Sequence, residues 1–101
     1  MDQFAILAVM RPKPGKENAL EEFLVSARSL VLEEPGTTSW YAVKLEDGRY
    51  GIFDTFPDRI GLDAHLRGEV ARRLMANATE LLAEPPVIQK AEILASKTPQ
   101  Y

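Results

Sequence analysis

The chain has 101 residues, 46% of them hydrophobic and 27% charged, with a net charge of −3 and a pI near 5.1. That length fits one domain with a modest core, and the acidic balance argues against a general affinity for nucleic acid or an anionic membrane. The absence of cysteine excludes disulfides, thiolate nucleophiles and cysteine-held iron–sulfur clusters, and with no leader and no apolar run near about 18 residues the expected location is the cytoplasm.

In chain order, Phe4 to Met10 (FAILAVM) opens a first strand, predicted over 3–11 and stopped by Pro12-Lys13-Pro14-Gly15. A helix is predicted over 16–33: Leu20, Phe23, Leu24, Ala27, Leu30 and Val31 recur at helical spacing, and Pro35-Gly36 ends it. Residues 37–45 (TTSWYAVKL) are β-branched and aromatic and read as a second strand. Asp47-Gly48 then signals a tight hairpin into a third strand over 50–56 (YGIFDTF). After Pro57-Asp58 a helical region extends to about residue 83, with a break at Gly68. In its second part Ala71, Leu74, Met75, Ala78, Leu81 and Leu82 form the expected apolar stripe. Pro85-Pro86 launches a last strand over 87–95, so that residues 1–96 make one domain and 97–101 a loose tail.

This order, β-α-β-β-α-β, is the split βαβ or ferredoxin-like arrangement, an α+β fold with a four-stranded antiparallel sheet. Right-handed crossovers place the helices on one face of the sheet. Strands one and three are apolar on both faces, so the uncovered face calls for a second copy of the sheet. A homodimer through the sheet face is therefore expected, with Lys44, Lys90 and Glu92 as the residues that would instead wet that face.

The residues Arg11-Pro12-Lys13-Pro14-Gly15-Lys16-Glu17, Glu34-Pro35-Gly36, and Asp54-Thr55-Phe56 followed by Ala64-His65-Leu66 resemble the antibiotic biosynthesis monooxygenase-like domain of the dimeric α+β barrel group, over nearly the whole chain. The resemblance implies a sheet-to-sheet dimer with a pocket between sheet and helices in each subunit. It also implies, for some members, oxygenation of phenols or quinols by O₂ without metal or flavin. The chain departs from the family in having Phe56 where many relatives carry Trp. It also lacks the strand-one Asn of the haem-degrading branch and has His65 and Met75 at that branch's Trp and axial His positions, so haem degradation is not expected.

His65, the only histidine, is the candidate general base, and Asp54, a carboxylate inside an apolar strand, is a second base or the group that orients His65. The alternatives are a helix-surface or structural histidine bonded to a neighbour such as Glu69, and an Asp54 paired with Arg59, Arg72 or a residue across the dimer, or simply exposed near the strand end. Trp40, Phe56 and Met75 are the candidate substrate-binding residues, for a planar aromatic or hydrophobic ligand. No metal-ligand set and no nucleotide-binding glycine motif is present, so neither metal nor cofactor is expected. The expected function is a cofactor-independent monooxygenase on a planar phenol or quinol. The alternatives are a non-catalytic binding protein for a small hydrophobic ligand, and an isomerase or lyase on the same scaffold.

Overall fold

The computed structural model describes residues 1–99, in the order β1 (Phe4–Met10), α1 (Glu17–Val31), β2 (Ser39–Lys44), β3 (Tyr50–Phe56), α2 (Arg59–Leu66), α3 (Glu69–Leu81) and β4 (Val87–Glu92). All neighbouring strands are antiparallel, in the spatial order β2-β3-β1-β4. This is the α+β ferredoxin-like fold, with its second crossover made of two helices. The hairpin between β2 and β3 turns at Gly48, whose φ of 89° suits glycine, and Asp47 Oδ1 accepts from the Arg49 N–H at 3.1 Å. Among the described residues no helix is long and apolar enough to cross a membrane.

Strand register settles which side chains face the helices. Phe4, Ile6, Ala8 and Met10 of β1 share a face with Tyr50, Ile52, Asp54 and Phe56 of β3, and with Trp40 of β2 opposite Asp54. On this face Ala8, Met10, Ile52, Leu20, Leu24 and Leu74 form the main core, while Ile6, Phe56 and Leu62 form a second cluster under α2.

The opposite face has no cover. Its strand positions are Ala5, Leu7, Val9, Ser39, Tyr41, Val43, Gly51, Phe53, Thr55, Val87, Gln89 and Ala91, and none of them is Asp, Glu, Lys, Arg or His. Leu7, Tyr41, Val43, Phe53 and Val87 are each at least 40% exposed. Lys44, Lys90 and Glu92, expected to wet this face, stand in the other phase: they pair with Tyr50, Ile6 and Phe4 on the helix side, near the sheet edges. The strand positions of this face are thus uncharged, and a carboxylate reaches it from Asp2, whose Oδ2 accepts from Thr55 Oγ1 at 2.7 Å.

Three details differ from the sequence expectations. The last strand ends at Glu92 rather than near residue 95, because β1, its only partner, starts at Phe4 and leaves one further bond, Ile93 N–H to the Gln3 carbonyl at 2.8 Å. The second strand is shorter at both ends than 37–45. In α3 the buried residues are Val70, Leu74 and Leu81, so the neighbouring Met75 turns outward and is 56% exposed.

Candidate functional site

The site grows from the end of β3. Asp54 is held on the helix-facing side of the sheet by the strand's alternation, and it is fully buried. Above it, α2 starts at Asp58, whose Oδ1 accepts from the Gly61 N–H at 2.8 Å and caps the helix. That short helix buries Gly61, Leu62 and His65 on one side, so the imidazole of His65 points down toward the sheet. The ring packs against Phe56 with centroids 5.4 Å apart and tilted by 44°.

Each ring nitrogen of His65 meets a carboxylate. Nε2 lies 2.8 Å from Asp54 Oδ2, and Nδ1 lies 2.6 Å from Glu34 Oε1. The Asp54 contact is close but off the line of a hydrogen bond, so neither Asp54 oxygen has an aligned donor. Glu34 comes from the turn that leaves α1, where Thr37 Oγ1 donates to Oε1 at 2.8 Å, while the buried Oε2 has no partner. Burial acts to lower the pKa of His65, but the contacts from Asp54 and then Glu34 outweigh it and hold the pKa above its usual value of 6.5. The ring lies between both carboxylates, and with all three groups ionised the cluster carries one excess negative charge.

Two glycines let the surrounding loops meet. A Cβ on Gly61 would lie 2.5 Å from the carbonyl oxygen of Gly36, and one on Gly36 would lie 2.8 Å from the Cα of Gly61. This close approach brings the Glu34 turn against α2. Beside it opens a cavity of about 710 Å³, with Leu30, Pro57, Ile60 and Ala64 as apolar wall and with Glu34 and His65 on its surface. A smaller cavity of about 380 Å³ lies on the other side of the same turn, shares Glu34 and Thr37, and is lined by Trp40 and Arg28. A surface groove along α1, lined by Glu21, Glu22 and Val25, lies away from this chemistry.

The sequence candidates are therefore placed unevenly. His65 and Asp54 are in contact, Phe56 packs on the ring from below without lining the large cavity, and Trp40 faces the neighbouring cavity with its buried Nε1 unpartnered. Met75 lines neither cavity and points to solvent from α3. The partner of His65 on Nδ1 is Glu34, not Glu69, which pairs instead with Arg72 and Arg73. Glu34 is the residue that sequence reasoning missed: Glu34-Pro35-Gly36 reads as turn chemistry, and only the packing of Gly36 on Gly61 reveals a second use. Among the described residues no group of three His, Cys, Asp or Glu side chains is arranged to hold a metal ion.

No family model and no curated protein matches the chain. Among solved structures it is similar to a protein of unknown function from Nitrosomonas europaea, at 46% identity and a TM-score of 0.94, covering 100% of this chain and 98% of that one. It is also similar to the Rv0793 protein of Mycobacterium tuberculosis, at 25% identity and a TM-score of 0.85, covering 95% and 99%. A candidate antibiotic biosynthesis monooxygenase from Caulobacter crescentus shares 18% identity at a TM-score of 0.79, covering 93% and 92%. The chain belongs to the same family as the Nitrosomonas europaea protein of unknown function, and it shares its fold with the Caulobacter crescentus protein.

Proposed function

We propose that the chain is a cytoplasmic, cofactor-independent oxygenase for a small planar phenol or quinol, working as a homodimer. The observation that carries this reading is the Glu34–His65–Asp54 cluster on the wall of a largely apolar cavity. A cluster with one excess negative charge is a proton acceptor, and taking one proton leaves it neutral in an environment where net charge is costly. His65 Nδ1 is bonded to Glu34 and Nε2 faces Asp54, so we assign the proton-accepting role on the cavity wall to the Glu34 carboxylate. His65 and Asp54 then act behind it, holding the charge and the orientation of that carboxylate.

The chemistry follows from deprotonation. The substrate O–H gives its proton to Glu34, and the electron-rich anion passes one electron to O₂. Superoxide and substrate radical join in a C–O bond, and the stored proton returns to the peroxide. Loss of water leaves the quinone: one oxygen atom enters the product, the other leaves as water, and the substrate supplies all four electrons. Oxygen uptake with a panel of hydroquinones and anthrones is the test. Uptake by the wild type that falls about 100-fold or more in Glu34→Gln, in line with the loss of a general base, supports the mechanism. No uptake across the panel overturns it. A binding protein without turnover is the second reading, favoured by the mutual occupation of the His65 and Glu34 polar atoms, and its signature is saturable binding without uptake.

The dimer rests on the bare sheet face, whose twelve strand positions carry no charge. An apolar surface of that extent is buried in a stable assembly, and packing two such faces gives a two-fold pair. Light scattering after gel filtration is expected to give about twice 11.3 kDa at micromolar concentration, and a mass of one chain overturns the pairing.

A further inference from the structure

Among the described residues, the enclosed polar side-chain atoms without a bonding partner belong to three side chains, Glu34, Trp40 and Asp54. Two of these are the carboxylates of the His65 cluster, and Trp40 is the third member without a part in it. Its indole Nε1 can only donate, and the ionised Asp54 oxygens can only accept. A buried indole N–H ordinarily finds an acceptor, and leaving either group bare is costly. Register brings the two together. Trp40 stands directly opposite Asp54 on the helix-facing side of the sheet. Leu45 N–H donates to the Arg49 carbonyl at 2.8 Å, and bonding alternates along an antiparallel pair. Trp40 and Asp54 therefore occupy the phase without backbone bonds between them, in which facing side chains lie closest. The other sheet neighbours of Asp54 on this side are Ile6 of β1 and Ile52 and Phe56 of β3, and none has a side-chain donor. From the helices the group that faces it is His65, whose Nε2 lies at Oδ2 and whose far side carries Glu34.

We propose that Trp40 is a positioning residue of the cluster: its indole N–H holds the Oδ1 side of Asp54 through one enclosed water, which accepts from Nε1 and donates to the carboxylate. Nε1 and Oδ1 are not in direct bonding geometry, and a water in contact with both satisfies each with one molecule. This inference rests on reading the Glu34–His65–Asp54 cluster as the proton store, and it moves Trp40 from the ligand wall to the support of that store. The indole dipole turns its positive end toward Asp54. It stabilises the carboxylate and opposes the positive charge on His65. With Trp40 behind one oxygen and His65 beyond the other, Asp54 is fixed between strand and helix.

The test follows the His65 ring protons by NMR across pH in the wild type and in Trp40→Phe, which keeps an aromatic ring and removes the N–H. The His65 pKa is expected to rise by about half a pH unit, the scale of one hydrogen bond. Direction separates this role from packing alone, because a loosened core admits solvent and lets the raised pKa fall back toward 6.5. A fall or no change in Trp40→Phe overturns the proposal. The intact protein gives a second reading that needs no substitution. Trp40 is the only tryptophan, so the indole N–H gives a single resonance. That resonance is expected to show cross-relaxation with a long-lived water and to move as His65 titrates. An indole that ignores the His65 titration, or that has no such water beside it, overturns the proposal. The two readings fail separately. Oxygen uptake with an indole indifferent to His65 leaves the oxygenase and removes Trp40 from its support, whereas linked titrations without uptake keep Trp40 in the cluster and remove the oxygenase.

Discussion

Replacing His65 by alanine is expected to cost about 3–5 kcal/mol of folding stability, because it leaves the fully buried Asp54 carboxylate without its one charge partner among the described residues. For a domain of this size that is a large part of a total of about 5–15 kcal/mol, and it corresponds to a fall of about 12 °C or more in Tm. Thermal melts followed by circular dichroism check it. The double substitution His65→Leu with Asp54→Leu is expected to recover part of the loss, since two apolar groups in place of a buried ion pair are often neutral in stability. A His65→Ala protein that melts like the wild type would show that the Asp54 charge is not carried in the folded state.

The same pair sets a pH dependence with a definite sign. The folded-state pKa of His65 is raised above the unfolded value of 6.5, so between the two values the folded protein binds more protons than the unfolded one. The contribution of His65 is complete below 6.5 and is lost as pH rises through the raised folded value. Stability is therefore expected to decline from neutral toward alkaline pH, and the slope is expected to vanish in His65→Ala. Denaturant midpoints measured across that range read both.

The second large effect is expected at a position with no chemistry of its own. In Gly61→Ala the new methyl would lie 2.5 Å from the Gly36 carbonyl oxygen, closer than any real contact, and both sides of the clash are backbone. The Glu34 turn and α2 must part, at a cost of about 1–3 kcal/mol, the range of an overpacked interior. Parting them also lengthens the 2.6 Å contact between Glu34 Oε1 and His65 Nδ1. The His65 pKa, followed by NMR of its ring protons, is therefore expected to fall in Gly61→Ala as Glu34 withdraws. An unchanged His65 titration would show that the clamp is held by something other than the glycine contact.

Much of the architecture was legible because its signals are local. Proline-rich breakers, the Asp47-Gly48 turn and the Gly68 break mark element ends, and the order of elements follows from them. Phase was harder. β1 and β3 are apolar on both faces, so nothing in their pattern says which residues meet the helices, and only the register to β2 and β4 shows that Lys44, Lys90 and Glu92 fall on the helix side. In α3 the neighbours Leu74 and Met75 are both apolar, and the helix turns toward Leu74 because Val70 and Leu81 share its side. Within the site, Asp54 and His65 stand out in sequence as the carboxylate in an oily strand and the lone histidine. Glu34 does not, because it lies 31 residues from His65 in a turn that has an adequate local explanation.

The distribution of charge on the sheet also bears on how the protein resists aggregation. Its two outer strands, β2 and β4, expose unpaired backbone along the rims, the usual template for endless strand-by-strand growth into fibrils. Lys44 on one rim, and Lys90 with Glu92 on the other, are gatekeepers that discourage such growth. Substituting these three by threonine would leave a chain of similar β propensity, with its defence against amyloid-like polymerisation removed.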